Sequence, residues 1–120
     1  MAKFRFQDLD IWKHAIAITA KLFDITDMLE DKKLFKFAEQ LRAAAMSISN
    51  NIAEGSGSAS NREFSNFLNI ARRSTFESAN ILILLQKRNL INKSLLDSLL
   101  DDLDHLCRKI TNFQKSLKAS

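Results

Sequence analysis

The sequence predicts an all-α protein: a single domain, residues 1–120, folded as an antiparallel up-down-up-down four-helix bundle. The chain has 120 residues, no proline and only two glycines, so little in it interrupts a helix. Apolar residues recur at steps of three and four in four segments, which places them on one face of each helix. The links between these segments are short, and short links join antiparallel neighbours.

The first two helices are expected at about residues 9–30 and 33–54. Asp8 or Asp10 is a candidate cap for the first helix. Gly55 falls where the second helix should end, and glycine commonly takes the left-handed position after a helix. The apolar stripe of the first helix is Ile11, Ala15, Ile18, Leu22, Ile25 and Leu29, and that of the second is Leu34, Phe37, Leu41, Ala45, Ile48 and Ile52.

The third and fourth helices are expected at about residues 61–88 and 94–117. Ser60 and Glu63 form the S-x-x-E pattern of a capping box. Asn89 is a candidate for the next left-handed position, and Asn92 or Ser94 can cap the fourth helix. The third stripe is Phe64, Phe67 or Leu68, Ala71, Thr75, Ser78, Leu82 and Leu85, and the fourth is Leu96, Leu99, Leu103, Leu106, Ile110, Phe113 and Leu117.

Both glycines lie in the polar stretch "SISNNIAEGSGSASNREF", which could be a phosphate-binding loop or a turn between helices. A Walker loop needs a lysine followed by Ser or Thr after its glycines. A dinucleotide-binding loop needs a preceding strand and a third glycine. These features are missing from the sequence, and helical periodicity flanks the stretch on both sides, so an inter-helix turn is predicted.

The titratable residues do not form a recognisable catalytic or metal-binding motif. His105 and Cys107 are two positions apart and point to different helix faces, and His14 has no cysteine nearby in the sequence. Asp97 and Asp101 could share a divalent ion, but an exposed acidic face is the simpler interpretation. We therefore predict a non-enzyme with no catalytic residue, metal, cofactor or small-molecule substrate.

Charge and cysteine content constrain the partners and the compartment. The net charge is +4, and residues 61–120 carry ten Lys or Arg against six Asp or Glu, an excess that permits anionic partners. One cysteine cannot form an internal disulfide. The N-terminal residues do not resemble a signal peptide, and the sequence contains no apolar run of about 18 residues. A cytoplasmic protein without a membrane partner is expected.

Basic and amide side chains fall on one side of the third helix, at steps of three, four or seven: Arg62, Asn66, Asn69, Arg73, Asn80 and Lys87. Guanidinium and amide groups in a row can bind phosphates and base edges. The alternative is a solvated face with cations near the negative end of the helix dipole. The candidate nucleic-acid-binding residues are Arg62, Arg72, Arg73, Lys87 and Arg88.

The segment "ISNNIAEGSGSASNREFSNFLNIARRSTFES" resembles one family, and "FQDLDIWKHA" and "EQLRAAAMSIS" extend the resemblance over nearly the whole chain. The family is that of four-helix bundle proteins first found encoded by intervening sequences in bacterial 23S rRNA genes, also labelled the S23 ribosomal protein family. The matching motif residues are Asn51, Ile52, Ala53, Glu54, Gly55, Glu63, Phe64, Phe67, Leu68, Ile70 and Ala71.

The resemblance implies an assembly and a partner. It implies a homopentamer with a central channel, and similarity to the basic accessory protein of diversity-generating retroelements, which binds nucleic acid and a reverse transcriptase. No catalytic residues come with the family. Arg73 and Ala79 depart from its pattern, which usually has a glycine and an acid at these positions. We expect Asn51 and Glu54 to be structural, hydrogen-bonded to turn amides or to a neighbouring subunit.

Two functions remain open from the sequence. The first is a homo-oligomer, expected to be a pentamer, that binds nucleic acid, expected to be RNA, in an unknown cellular role. The alternative is a protein-interaction scaffold with no nucleic-acid partner, which would use the apolar side chains outside the core stripes. Those side chains are Trp12, Phe35, Ile70, Ile83 and Leu84.

Overall fold

The computed structural model describes residues 1–119 and confirms the all-α fold. A short 3-10 helix, Arg5–Asp8, precedes four α-helices. The helices are α1 (Asp10–Asp31), α2 (Phe35–Ser56), α3 (Asn61–Lys87) and α4 (Lys93–Ala119). Each bound lies within two residues of the range expected from the sequence. The bundle measures 46 × 30 × 20 Å.

Each helix packs against its neighbours in the chain, and α4 returns to contact α1, so that α1 and α3 lie on opposite corners. The α1–α4 pair shows the antiparallel direction. Lys109 Nζ lies 2.8 Å from Asp10, and Lys21 Nζ lies 2.8 Å from Asp102. From the first pair to the second, the residue number increases along α1 and decreases along α4, so the two helices run in opposite directions. With short links between successive helices, the simplest topology is the up-down-up-down arrangement.

The stripes read from the sequence form the core. All six positions of the α1 stripe are buried, and Leu68 rather than Phe67 is the buried member of the α3 stripe. The α2 stripe differs at its start, where Ala38 is buried while Leu34 and Phe37 are half-buried. The small Ala38 side chain allows close helix contact, and the two larger ones cover the core from its rim.

Gly55 does not lie in a left-handed turn after α2, so that prediction is wrong. The helix runs through Gly55 to Ser56, and the capping residue Gly57 has a φ of −88°. Gly55 is buried, and a Cβ there would lie 2.7 Å from Phe64 Cδ1 and 2.9 Å from Phe67 Cβ. A glycine stands at this position because α2 and α3 approach too closely for a side chain.

The helix ends confirm some predicted caps and correct others. Neither Asp8 nor Asp10 caps α1, because Leu9 is its N-cap and Asp10 already lies in its first turn. Ser60 Oγ accepts a hydrogen bond from the Glu63 amide at 3.2 Å. Asn92 Oδ1 accepts one from the Leu95 amide at 2.7 Å. Asn89 is left-handed with a φ of 61°, as predicted.

None of the helices described over residues 1–119 has the length and the apolar content needed to cross a membrane.

Candidate nucleic-acid interface

The outward surface of α3 carries the basic and amide residues grouped from the sequence. Six of them are exposed: Arg62, Asn66, Asn69, Arg73, Asn80 and Lys87. Arg62 and Lys87 are 25 residues apart, so at 1.5 Å per residue the row is roughly 37 Å long. The opposite side of the helix carries the buried stripe. The row therefore stands on a helix whose orientation is fixed by the core.

Arg72 is placed differently from the other basic residues of α3. It is half-buried, and its Nε is enclosed without a hydrogen-bond partner in the part of the chain that the structure describes. Arg72, Arg73 and Phe76 line one surface depression. The structure thus brings two guanidinium groups beside an aromatic ring that is 65% exposed.

Within residues 1–119, no acidic side chain forms an ion pair with the basic side chains of α3. Over residues 1–119, the ion pairs involve basic residues outside this helix, such as Lys21, Lys93 and Lys109. The segment 61–88 holds five basic residues and only Glu63 and Glu77 as acids. An anion approaching this face therefore does not have to displace a carboxylate side chain of residues 1–119.

The end of α3 gives its cations a second role. Lys87 lies in the last turn, and Arg88 is the C-cap, whose backbone amide donates to the Leu84 carbonyl oxygen at 3.1 Å. Cations at this end are stabilised by the helix dipole, typically by about 0.3–1 kcal/mol at exposed sites. Lys87 and Arg88 are therefore explained in part by helix stability, whereas Arg62 near the other end is not.

Within residues 1–119, the side chains of Asn51 and Glu54, from the family motif, do not bond to the turn amides; a bond to a neighbouring subunit stays a prediction. Asn51 Nδ2 donates to the Ser47 carbonyl oxygen at 2.8 Å and to Ser47 Oγ at 3.0 Å, within α2. The Glu54 side chain is exposed, and the backbone carbonyl oxygen of Glu54 accepts a hydrogen bond from the Gly57 amide at 3.1 Å. The Nδ2 group of Asn51 therefore bonds to the preceding turn of α2 and not to the loop.

Phe64 is the centre of the motif's packing. Its ring is 1% exposed and meets the Phe113 ring edge-on at 5.3 Å between centroids. The Arg5 guanidinium lies 5.1 Å from the centre of the same ring. With Gly55 against it on α2, this ring joins the N-terminal segment, α2, α3 and α4. The motif residues Gly55 and Phe64 are thereby given a packing role.

The two histidines are brought together by the fold, which sequence reasoning missed. The ring of His14 on α1 lies 5.4 Å from that of His105 on α4. Burial lowers the pKa of His14, and Lys109 and His105 add to the shift. Across residues 1–119, no three His, Cys, Asp or Glu side chains form a group that could hold a metal ion. In the sequence, each histidine directly precedes a residue of its helix's apolar stripe, Ala15 or Leu106, and this was the available signal.

A groove between α3 and α4 was also missed from the sequence. It has a volume of about 150 Å³ and is lined by Thr75, Phe76, Ala79, Leu100, Leu103, Asp104 and Cys107. Its lining is mostly apolar, and Phe76 connects it to the depression formed by Arg72 and Arg73. In the sequence, Phe76 is out of step with the core stripe, and this was the only hint.

The fold and the exposed basic row define a class: an all-α four-helix bundle with one cationic outer helix. A family model described as "23S rRNA-intervening sequence protein" matches residues 7–112. The chain belongs to this family, as its motif residues indicated, and the function of the family is unknown.

A solved structure shows the same fold. The chain is similar to a protein of unknown function from the S23 ribosomal protein family of Bacteroides thetaiotaomicron VPI-5482, with a TM-score of 0.83 and 23% identity. The match covers 88% of this chain and 98% of the other. At this identity the similarity shows the fold alone. No curated protein matches the chain significantly.

Proposed function

We propose that this protein is a non-enzymatic homo-oligomer that binds RNA through the outward face of α3. The observation that carries the proposal is the row of exposed cations on that face, for which residues 1–119 provide no ion pair. Arginine and lysine side chains offer hydrogen-bond donors and no acceptor, which suits phosphate binding and does not suit proton abstraction. Family resemblance supports a pentamer and a nucleic-acid partner.

Binding of this kind is governed by charge, so salt is the first test. If Arg62, Arg72, Arg73, Lys87 and Arg88 each contact one phosphate of a single strand, log K falls with log salt at a slope of about −3.5. Affinity should then decrease about 100-fold between 50 and 200 mM salt. Fluorescence anisotropy with a labelled RNA measures this slope.

A double variant and a matched control locate the interface. Arg72→Ala/Arg73→Ala should weaken binding and reduce the slope by about 1.4, because two phosphate contacts are lost. The control is Lys13→Ala/Lys32→Ala, which removes the same charge from exposed positions in α1 and at its end, across the bundle from α3. Equal losses in both variants, or no binding by the wild type at 50 mM salt, would refute the proposed site.

A scaffold without nucleic acid is the second candidate, favoured by exposed apolar side chains. Of the five outside the core stripes, Phe35, Ile70 and Leu84 are 55%, 42% and 45% exposed. The other two, Trp12 and Ile83, are half-buried against the core. Ile70 and Leu84 are two heptads apart and share one side of α3. Contact with another protein chain would remove them from water.

The same residues offer a test of assembly. A pentamer would have a mass of about 68 kDa, five times the 13.7 kDa of one chain. Ile70→Glu/Leu84→Glu should lower the mass measured by light scattering, because burying charge in an apolar contact is costly. Ile16→Glu, at a position 40% exposed on α1, is the control. A wild-type mass of 13.7 kDa would refute the oligomer, and RNA binding by that monomer would leave only the RNA-binding part of the proposal in place.

A further inference from the structure

We propose that the groove between α3 and α4 holds an unpaired base of a single-stranded RNA, stacked on Phe76, with Arg72 and Arg73 on the adjacent phosphates. This inference rests on the proposed RNA binding and specifies its ligand as single-stranded. It adds a contact to the base itself, which the row of cations on α3 does not provide.

The first observation is the position of Phe76. Its side chain is 65% exposed in the middle of a 27-residue helix whose other face forms the core. Leaving a phenyl ring in water forgoes the free energy that its burial would provide. An exposed ring beside cations is the combination found in proteins that bind single strands, where bases stack on aromatic side chains and cations follow the backbone.

The second observation is the groove that Phe76 borders. The side chains of Ala79, Leu100 and Cys107 give it an apolar wall, and its volume is about 150 Å³. A space of this size holds more than one water molecule. A planar ring lying in it would contact the wall on one side and Phe76 on the other. This matches the chemistry of a nucleobase, which has an apolar face and polar edges.

The third observation is the charge at the mouth of the groove. Arg72 and Arg73 line the depression that Phe76 shares, and neither pairs with a carboxylate among residues 1–119. Asp104 also lines the groove, but Arg108 Nη2 lies 3.0 Å from its carboxylate. That pairing reduces repulsion between Asp104 and a phosphate. The positive charge is therefore next to the apolar surface, where a base and its phosphate would lie.

The ligand must be single-stranded because of the geometry of stacking. In a paired A-form helix the base faces are covered by neighbouring bases, and the deep major groove does not admit side chains. Unpaired bases can leave the stack and lie against an aromatic ring. Duplex RNA can reach the cations of α3 but not the face of Phe76. Single-stranded RNA is therefore expected to bind more tightly than a duplex of the same sequence.

The test compares Phe76 variants on two RNAs. Anisotropy is measured with a labelled, unstructured 12-nucleotide RNA and with its duplex, using the full-length protein. Phe76→Ala should weaken single-strand binding about 5- to 150-fold, the range for loss of one stacked base, and leave duplex binding unchanged. Phe76→Trp should retain single-strand binding. Ile16→Ala, a truncation of an exposed apolar side chain on α1, is the control.

The single cysteine gives a second readout that does not depend on affinity. Cys107 lines the groove and is half-buried, so a base lying there should slow its alkylation by iodoacetamide. Saturating single-stranded RNA should protect the thiol, whereas saturating duplex should not. Protection by both RNAs, or by neither, would contradict a base in the groove.

The remaining outcomes separate this inference from the proposed function. Equal single-strand binding by wild type and Phe76→Ala, with weaker binding by Arg72→Ala/Arg73→Ala, would overturn the stacking site and leave RNA binding in place. A wild type that binds neither RNA would overturn both. A lower assembly mass for Phe76→Ala in light scattering would show that another copy of the chain covers the groove, which also overturns the stacking site.

Discussion

Replacing Gly55 by alanine tests the packing of α2 against α3. Two contributions of opposite sign are expected. Alanine is better than glycine inside a helix by about 1 kcal/mol. Against this, the new Cβ would lie 2.7 Å from Phe64 Cδ1 and 2.9 Å from Phe67 Cβ, well inside the 3.5–4.0 Å at which carbon atoms attract.

The steric cost should exceed the gain in helix propensity. Phe64 is 1% exposed and is held by the rings and helices around it, so it has little room to turn. The Cβ atom of Phe67 is fixed to the backbone, so that contact is relieved only if α3 moves away. Overpacking of a core costs typically 1–3 kcal/mol, and the upper end applies here. We therefore expect a net destabilisation of about 2 kcal/mol.

Urea unfolding followed by circular dichroism at 222 nm measures this change. With a slope of about 2 kcal/mol per molar urea, Gly55→Ala should lower the midpoint by about 1 M. All chains are compared at one concentration, because assembly would make the midpoint depend on it. A midpoint equal to or above that of the wild type would refute the steric reasoning, since helix propensity alone predicts a rise.

Gly57→Ala is the matched control two residues away. Gly57 has a φ of −88°, which alanine can adopt, and the nearest atom to an added Cβ is the Glu54 carbonyl oxygen at 3.5 Å. Such a change should be neutral or stabilise the fold by about 0.4–1 kcal/mol. Equal losses at both glycines would point to a general need for backbone freedom in the turn, and not to contact with Phe64.

Two further predictions concern buried polar groups. Ser78 is fully buried and its Oγ lacks a partner within residues 1–119, so Ser78→Ala should raise the free energy of unfolding by about 1 kcal/mol. Ser74→Ala removes a 2.8 Å hydrogen bond to Ser47 Oγ and should lower the free energy of unfolding by a similar amount. If urea unfolding shows Ser74→Ala to be the more stable of the two variants, this reasoning is wrong. Burial lowers the pKa of His14 from its ordinary 6.5, so the unfolded chain binds this proton more tightly. Stability should therefore fall as the pH drops below about 6.5 and through the lowered pKa. In His14→Gln, the urea midpoint should vary less with pH over that range. If the midpoint of the variant depends on pH as strongly as that of the wild type, burial of His14 is not the cause of the pH dependence.

The order of residues determined the helices and the face that each helix buries. The α4 stripe from Leu96 to Leu117 alternates steps of three and four, and its positions are buried except Phe113, which is half-buried. This periodicity is local, because a helix places residues three and four apart on one side whatever it packs against. The same local chemistry located Ser60, Asn89 and Asn92 at helix ends. It also placed Arg62, Arg73 and Lys87 of α3 on the surface.

Tertiary structure decided the properties that depend on distances between helices. Gly55 suggested a turn in the sequence, but it lies inside α2. The residue there is a glycine because Phe64 of α3 occupies the space that a side chain would need. His14 and His105 are 91 residues apart in the sequence, and only the return of α4 to α1 brings their rings together. Phe76 borders a groove because α4 supplies the opposite wall. Periodicity gives the direction of a side chain from its own helix, whereas its neighbours depend on how the helices approach one another.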